Sequence, residues 1–398
     1  MATVLRSLTY RGIPVWRHVK VIQWAIQIVS GIAVVALVVW FFSNIGNAIQ
    51  ERDIPYGFGF LDREYQTPIG QHFLPYESSD TFLYAFVVAF TNTLIVSVVG
   101  VVLATGLGIL IGVARMSSNW IVSKVSLAYI EFFRNVPLLV QLFFWFYIVL
   151  ALPPVREGYV VADRLYVNNS GLTIPGVSAS SLAAALAWLG LATIAVVAAV
   201  VTYRWLAGRE IRTGAASYPL LVGCATAVVI GLIGWVAVGA VSGGAPFTPS
   251  IPEPEGAFGR ISGGFTVAGG LVALLAGLVM YTAAFIAEIV RAGIQSVGRG
   301  QSEAARALGL SGMGVLRHVT FPQALRVIVP PLISQYLNLT KNSSLAGAIG
   351  YSDLTNIAKT MTQTAPAVSI FLLIMVIYLA LSLTYSLIGN LYNRAIRF

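Results

Sequence analysis

The sequence predicts an all-α integral membrane protein with about eight transmembrane helices. Of its 398 residues, 57% are hydrophobic and only 10% are charged, against roughly 25% charged residues in an ordinary soluble domain. A helix that crosses a bilayer needs about 20 apolar residues, because lipid offers no partner to an exposed backbone N–H or C=O group. Eight stretches meet this requirement, at residues 21–43, 84–113, 125–150, 181–202, 218–241, 267–292, 325–347 and 367–390.

Basic residues near the ends of these stretches indicate their orientation, since Lys and Arg are retained on the cytoplasmic side. The first stretch is too long, and lacks the small-residue cleavage pattern, for a signal peptide. Four basic residues and no acid precede it, whereas the next connection is mainly acidic. We therefore expect both termini in the cytoplasm. The basic residues before the first stretch are Arg6, Arg11, Arg17 and Lys20, and the last stretch is followed by Arg394 and Arg397.

Several functional classes are excluded by composition. The net charge of +9 is spread over short connections without a basic stripe, so no nucleic acid partner is expected. The single cysteine, Cys224, excludes a disulfide framework and thiolate metal sites. No Gly-Lys-Ser/Thr phosphate loop occurs, and His18, His72 and His318 have no nucleophile or metal-ligand cluster around them. The chain is predicted to hold no catalytic, metal or nucleotide site.

The fourth and fifth stretches differ from the others. They are rich in Ala and Val, carry no charge at membrane depth, and are joined by the basic segment 204–212. We expect an added hairpin that packs against lipid. The following segment, 243–255, is rich in Pro and Gly, cannot continue a helix, and is predicted to be a periplasmic loop.

The longest cytoplasmic connection, residues 298–322, predicts two short helices separated by a sharp bend. Ser302 is expected to cap the first helix, Glu303 to lie near its positive end and Gly309 to end it in a left-handed conformation. Ser311 is expected to cap the second. Each helix has one apolar face that needs a partner. These faces comprise Ala304, Ala305 and Leu308 in the first helix, and Val315, Leu316 and Val319 in the second.

This connection resembles the EAA loop of ABC importer permeases. The resemblance rests on Glu303-Ala304-Ala305, on Gly309 six positions after the glutamate, and on the ending Val-Thr-Phe-Pro322. In that family the loop forms coupling helices that dock into a groove on an ATP-binding subunit. The alternative is a pair of amphipathic turns on the membrane surface of any transporter. The resemblance implies that the docking residues are Glu303, Ala304, Ala305, Gly309 and Pro322.

Three further segments, 129–143, 281–294 and 337–346, resemble the polar amino acid branch of these permeases, which includes histidine, glutamine and general amino acid permeases. The resemblance implies the five-helix core of a type I importer permease over residues 85–150 and 265–395. The longer layout is similar to permeases of general L-amino acid and of glutamate, glutamine, aspartate and asparagine systems.

The resulting organisation has four parts. Residues 1–80 contain the cytoplasmic amino terminus, an extra first span and a periplasmic loop, and 81–150 contain the first core spans. Residues 151–264 contain periplasmic loops and the added hairpin. Residues 265–398 contain the remaining core spans with the coupling loop.

Ionisable groups inside spans are costly, so each is a functional candidate. Glu131 and Arg134 lie three residues apart on the third predicted span, and Glu288 and Arg291 repeat that spacing on the sixth. Each pair can neutralise itself across one helical face. Two interpretations are open: structural clamps near the cytoplasmic ends, which we favour, or contacts to substrate.

Lys341 is a candidate for the substrate pathway. The uncharged run before it, 327–340, has only 14 residues and contains Pro330 and Pro331, so it is too short to span without including Lys341. Donors here could bind an amino acid carboxylate, whereas a lysine that extends to the outer interface is the alternative. Gln141 is a weaker candidate, with Thr91 and Asn92, because amides inside membranes more often bond between helices. The pathway candidates around Lys341 are Asn338, Asn342, Ser343 and Ser344.

Taken together, the resemblance implies the permease subunit of an ATP-driven bacterial importer of L-amino acids in the inner membrane. It implies that ATP and Mg bind to a partner ATPase dimer, that a periplasmic amino acid-binding protein delivers the substrate, and that this chain binds no cofactor. Five core spans form half a path, so a second permease is expected to complete it, either a second copy or, as we favour, a related chain. The alternative is an ion-gradient-driven secondary transporter, which would usually show internal repeats and buried coupling carboxylates. Neither this alternative nor a channel-like protein without an energy source would give the cytoplasmic loop a role.

Overall fold

The computed structural model describes residues 9–10, 13–14, 19–162, 164–255 and 260–396. The basic residues Arg6, Arg11, Arg17 and Arg397 lie outside them. The described part of the chain forms these helices: α1 Val19–Glu51, α2 Phe82–Ala114, α3 Trp120–Asn135, α4 Leu138–Leu150, α5 Leu182–Thr213, α6 Pro219–Ser242, α7 Gly269–Gln295, α8 Arg299–Ala307, α9 Gly312–Val315, α10 Phe321–Asn342, α11 Leu354–Met361 and α12 Ala367–Ile396.

The helical membrane fold predicted from the sequence is confirmed. Within the described residues, six helices are long and apolar enough to cross a membrane, namely α1, α2, α5, α6, α7 and α12, and the bent pair of α3 and α4 makes a seventh. The remaining predicted span corresponds to α10. Its 22 residues extend about 33 Å at 1.5 Å per residue, but it is more polar than the others.

The segments beside the hairpin of α5 and α6 contain short strands that the sequence analysis does not predict. A four-stranded antiparallel sheet has the order β10-β5-β4-β3, while β6 pairs with β7 and β8 with β9. The segment 243–255 is not helical, as predicted, but it is more regular than a loop, because β7 pairs with a strand about 70 residues earlier. The strands are β1 Thr9–Tyr10, β2 Ile13–Pro14, β3 Tyr159–Val161, β4 Leu165–Asn168, β5 Gly171–Ile174, β6 Gly176–Ala179, β7 Phe247–Ser250, β8 Glu253–Glu255, β9 Arg260–Ser262 and β10 Phe265–Ala268.

Helices α5 and α6 pack along each other, and neither packs extensively on another helix in the described part of the chain. A Cβ atom at Gly234 would lie 3.0 Å from the Cβ of Leu191, so the two backbones approach closely. Near the β-strands, Trp188 contacts the rings of Trp235 and Phe247, with both centroid distances 5.5 Å. The outward faces are apolar and exposed, which is typical of helices surrounded by lipid.

The chain divides into two compact units, of which the first contains residues 1–68, 76–88 and 357–381. Its aromatic core places the ring of Phe82 at 5.4 Å from Phe60 and 5.0 Å from Tyr65. Helix α1 in this unit buries no residue. Its exposed apolar surface is expected of a helix that lipid surrounds on all sides.

The second unit contains residues 69–75, 89–356 and 382–398 and has α7 at its centre. The first half of α7 packs on α4, and its second half packs on α10, while α2 contributes to both clusters. Glycines permit these approaches: a Cβ at Gly277 would lie 2.6 Å from Leu142 Cδ2, and one at Gly293 would overlap Ile328 Cγ1. Close helix packing through small residues is the usual solution in membranes.

The predicted continuous third span, 125–150, is wrong: α3 and α4 meet at an angle of 106°. Pro137 lacks an N–H and disfavours helical geometry at the residue before it, and Val136 accordingly has φ −92° and ψ 130°. Gln141 compensates. Its Nε2 donates to the carbonyl oxygens of Phe133 at 3.0 Å and Val136 at 2.9 Å, so a side chain replaces backbone partners that the break removes.

We predict that Gln141→Leu destabilises the protein. The substitution leaves the buried carbonyl group of Phe133 and the half-buried one of Val136 without these donors, and a buried unpaired group costs about 1–3 kcal/mol. Thermal unfolding of the purified full chain in detergent measures this effect. The control is Gln23→Leu on the exposed surface of α1, which should leave the unfolding temperature unchanged; equal stability of the two variants would contradict the role of Gln141.

Candidate functional site

The cytoplasmic connection forms two short helices, but the first begins earlier than predicted. Helix α8 starts at Arg299 with Gly298 as its cap residue, and no side chain caps it. The prediction that Ser302 is the cap is therefore wrong. The chain turns into α8 only three residues after α7 ends, so Ser302 and Glu303 lie inside the helix.

Gly309 ends α8 as predicted, with a left-handed φ of +85°. The N–H of Gly309 donates to Arg306 O at 2.9 Å, and the N–H of Leu310 donates to Ala305 O at 3.2 Å. No atom lies within 4 Å of the position that a Cβ would take at Gly309. The backbone conformation, and not a lack of space, therefore favours glycine here.

The second short helix is continuous with the next long one. Ser311 Oγ caps α9 by accepting from the N–H of Gly314 at 3.2 Å, as predicted. A π-turn over Leu316–Thr320 then leads into α10. Pro322 follows this π-turn as the second residue of α10, so the irregular turn lies where proline removes a helical N–H. The chain is thus helical from Gly312 to Asn342.

The outer surface of this loop carries the predicted docking residues, with one exception. Glu303, Ala304, Gly309 and Pro322 are exposed, whereas Ala305 is only 4% exposed. The methyl group of Ala305 is therefore turned into the loop. Apolar side chains also project outward, since Leu308 is 84% and Met313 is 71% exposed. Exposed apolar groups of this kind indicate a surface that a partner covers.

The pathway candidates on α10 fall into three groups. Asn338 and Lys341 are exposed and share one face with Ser334, at spacings of three and four residues. Asn342 and Ser344 are half-buried. Ser343 is fully buried and donates to Thr340 O at 2.7 Å, so its hydroxyl does not lie on the face of Lys341.

One of the two predicted charge pairs forms. Glu288 and Arg291 form an ion pair on α7, with 3.0 Å between Arg291 Nε and Glu288 Oε2. The prediction that Glu131 and Arg134 neutralise each other is wrong, because no ion pair joins these two residues in the described part of the chain. Arg134 lies instead over the ring of Phe285, 5.3 Å from its centroid.

Glu131 and Gln141 are engaged within their own span. Glu131 is exposed and accepts from Asn135 Nδ2 at 3.1 Å. Gln141 is 4% exposed, and both donors of its amide are used at the break between α3 and α4. The amide therefore bonds to the backbone of α3 and of the break, within the same bent span, and not to a different span.

A buried carboxyl group, Asp353, was missed in the sequence analysis. It is fully buried and caps α11, accepting from the N–H groups of Thr355 at 3.2 Å and Asn356 at 2.9 Å. Burial raises its pKa from 3.8 to about 7. The signal in the sequence is Asp353 directly before the helical pattern of α11, a usual cap position, but burial is visible only in the structure.

Asn92 and Thr93 on α2 connect to the segment before α11. Asn92 Nδ2 donates to Gln71 O and Ser352 O, both at 2.8 Å. The N–H of Leu354 donates to Thr93 Oγ1 at 2.9 Å. These bonds link three segments that are distant in sequence, so Asn92 has the structural role that the sequence analysis considered for it.

Comparison with known proteins assigns the family. Residues 104–398 match the family described as binding-protein-dependent transport system inner membrane component. The chain belongs to this family. The matched residues include α3, α4, α7 and both parts of the cytoplasmic loop, and with its apolar helices the permease is a multi-pass inner membrane protein.

Similar proteins cover nearly the whole permease. It is 41% identical to the putative amino-acid ABC transporter permease YhdX of Escherichia coli K12, over 98% of both chains. It is 42% identical to the general L-amino acid transport system permease AapQ of Rhizobium johnstonii, over 92% of this chain and 90% of that protein. It is 38% identical to the glutamate/glutamine/aspartate/asparagine permease BztB of Rhodobacter capsulatus, over 94% and 93%.

Among solved structures, a match is found to an amino acid ABC transporter crystallised with histidines, at 21% identity and a TM-score of 0.45. That match covers 79% of this permease and 95% of the solved chain. An inward-facing MetNI methionine ABC transporter has 15% identity and the same TM-score, over 79% and 98%.

We predict that the buried carboxyl group of Asp353 lowers the free energy of unfolding as the pH rises from about 4 to about 7. The unfolded carboxyl ionises near pH 3.8, whereas burial holds the folded group neutral until about pH 7; the folded state therefore binds the extra proton, and its stability decreases across this window. Asp353→Asn keeps one oxygen, which can accept from one of the two N–H groups, but it cannot ionise.

Thermal unfolding of the full chain between pH 4 and pH 8 tests this. In Asp353→Asn the unfolding temperature should decrease less with rising pH than in the wild type, and it should be higher at neutral pH. Asp62→Asn, at an exposed carboxylate, is the control and should retain the wild-type pH dependence. A decrease in Asp353→Asn as steep as in the wild type would contradict the prediction.

Proposed function

We propose that this permease forms half of a path for L-amino acids through the bacterial inner membrane, driven by ATP hydrolysis on a separate partner chain. The observation that carries the proposal is the cytoplasmic loop, which presents Glu303, Leu308 and Met313 outward. An exposed apolar and acidic surface at the end of membrane helices fits a groove on an ATP-binding subunit. ATP and Mg would then be bound by that subunit dimer and not by this chain.

The loop is well connected for transmitting force. It follows α7 by three residues and continues through α9 into α10. Those two long helices pack closely, since a Cβ at Gly293 would overlap Ile328. Movement of α8 and α9 by the ATPase would therefore shift α7 and α10 together rather than bend a flexible linker.

The exposed face of α10 supplies the groups for the path. Lys341, Asn338 and Ser334 are exposed on one face, beside the half-buried Asn342 and Ser344, and a lipid-facing helix would carry apolar residues there. Lys341 can pair with a substrate carboxylate through a charge-assisted hydrogen bond. The named functions of AapQ and BztB, general L-amino acid and glutamate-group transport, support amino acids as substrates.

A second permease is needed to close this path, because the polar face is open in one chain. We propose that this second permease is a related chain. A periplasmic amino acid-binding protein would deliver the substrate to the side of the β-strands. Both termini would lie in the cytoplasm, and the four-part organisation, 1–80, 81–150, 151–264 and 265–398, would hold the five core spans in its second and fourth parts.

We predict that Glu303→Lys uncouples uptake from ATP hydrolysis. A reversed charge at the centre of the docking surface should reduce amino acid uptake at least about tenfold, which corresponds to about 1.4 kcal/mol of lost interaction. Tagged full chain is purified in mild detergent with its copurifying subunits, and uptake and ATPase activity are measured in proteoliposomes with the binding protein. The expected copurifying subunits are an ATP-binding chain and a second permease.

The control is Glu77→Lys, which makes the same change at an exposed glutamate outside the loop and should leave uptake unchanged. Normal uptake in Glu303→Lys would remove the docking assignment. Purification of the chain alone, with uptake that survives ATP depletion and collapses with the ion gradient, would overturn the proposed function itself.

We predict that Lys341→Met slows uptake by a factor of about 10 to 100, because a hydrogen bond to a charged group contributes about 1.5–3 kcal/mol. Initial rates of amino acid uptake in proteoliposomes measure this loss. Lys341→Arg should retain much of the rate, and Lys359→Met, at an exposed lysine on α11, is the matched control. Equal rates for Lys341→Met and the wild type would place the pathway elsewhere.

A further inference from the structure

The carboxyl-terminal end of α5 extends beyond its hairpin partner. Helix α5 has 32 residues and α6 has 24, so the difference of eight residues corresponds to about 12 Å at 1.5 Å per residue. The connecting residues 214–218 return the chain to α6. The last turns of α5 therefore continue past the point where α6 begins.

One side of these turns faces α6. Leu206 is only 7% exposed, and a Cβ at Gly223 of α6 would lie 3.4 Å from Tyr203 Cβ. Glu210 follows Leu206 by four residues and Tyr203 by seven, which places it on the same side of the helix. The one acidic residue of this segment is thus directed toward the hairpin partner and is half-buried.

The opposite side carries three arginines and a tryptophan. At 100° per residue, Arg204, Trp205, Arg209 and Arg212 fall within an arc of about 140°, and all four side chains are exposed. The guanidinium group of Arg209 lies 5.9 Å from the centroid of the Trp205 ring. Arg212 Nε donates to Gly208 O at 3.0 Å. We call Arg204, Arg209 and Arg212 the basic face.

The chemistry along this side follows the layers of a bilayer. Ile194, Val197 and Val201 are each more than half exposed, and Trp205 comes next at 59% exposure, before Arg209 and Arg212. Apolar groups, then an aromatic ring, then cations correspond to acyl chains, interface and headgroups.

A second aromatic layer supports this placement. Trp188, near the other end of α5, contacts Trp235 of α6. It lies 17 residues before Trp205, or about 25 Å along the helix, which is close to the roughly 30 Å of hydrocarbon in a bilayer. The two aromatic layers therefore mark the two interfaces; Arg204 lies level with the inner one, and Arg209 and Arg212 lie just beyond it.

We propose that the basic face binds the phosphodiester headgroup of an anionic phospholipid, such as phosphatidylglycerol, in the cytoplasmic leaflet. Three guanidinium groups without an acid on the same arc match a phosphate, which Arg binds through paired N–H donors. Lipid is the occupant because the neighbouring outward surface is apolar, with Leu220 at 71% and Leu221 at 69% exposure. The assignment to the cytoplasmic leaflet rests on the orientation proposed above.

Native mass spectrometry of the full chain, released from nanodiscs of phosphatidylcholine with and without phosphatidylglycerol, tests the proposal. The wild type should retain phosphatidylglycerol in preference to phosphatidylcholine, and less so at high salt. The triple substitution Arg204→Gln, Arg209→Gln and Arg212→Gln should weaken that retention at least about tenfold, since each basic group near an anionic surface contributes to binding. The control replaces three exposed arginines elsewhere, Arg52, Arg63 and Arg164, and should retain the lipid as the wild type does.

Three outcomes would overturn the proposal. The first is equal retention of phosphatidylglycerol by the wild type and the triple variant. The second is displacement of the lipid by inorganic phosphate alone, which would indicate a phosphate site. The third is loss of a copurifying protein from the triple variant with unchanged lipid retention, which would indicate a protein interface. Lipid retention is measured without transport, so failure here leaves the proposed function untouched, and failure of uptake leaves the lipid assignment untouched.

Discussion

The packing of three helices on the small-residue surface of α7 is the constraint on which the rest of the structure depends. Lipid is as apolar as a leucine side chain, so helices in a membrane associate through close contact and not through exclusion of water. Gly277 admits Leu142 of α4, and Gly293 admits Ile328 of α10. Ala283 and Ala287 between them are fully buried. A larger side chain at either glycine would separate α7 from the helix that bears the polar face or from the bent span.

A second constraint is the need to satisfy backbone groups wherever a helix is interrupted. At Pro137 the chain turns by 106°, and the amide of Gln141 serves the carbonyl groups left by the break. At Pro322 a π-turn carries the helix past a residue without an N–H. At Asp353 a carboxyl group caps α11. At Pro137 and at Asp353 a side chain thus supplies the local hydrogen-bond partner, as a poorly hydrated environment requires.

The sequence predicts the spans and the loop well, because hydropathy and spacing are local properties. Gly309 and Ser311 have the predicted roles, since a left-handed turn and a helix cap are set by neighbouring residues. The errors arise where contacts between segments distant in sequence determine the local structure. Phe285 on α7 attracts Arg134 away from Glu131, and β7 pairs with β6 across the whole hairpin. The start of α8 is set by the exit of the chain from α7, which overrides the capping tendency of Ser302. The burial of Asp353 depends on segments that no local pattern reveals.

The unbroken helical path from Gly312 to Asn342 has a mechanical consequence. Its 31 residues make a rod of about 46 Å at 1.5 Å per residue, with the outward-facing loop at one end and Lys341 at the other. Such a rod acts as a lever. A tilt of about 10° around one end of a 1.5 Å-per-residue helix of this length moves the other end by about 8 Å, more than the width of an amino acid side chain. The π-turn near the loop and Pro330 and Pro331 inside α10 interrupt the regular hydrogen bonds of the lever, so its stiffness at these points sets how much of a displacement at the loop arrives at the ammonium group of Lys341.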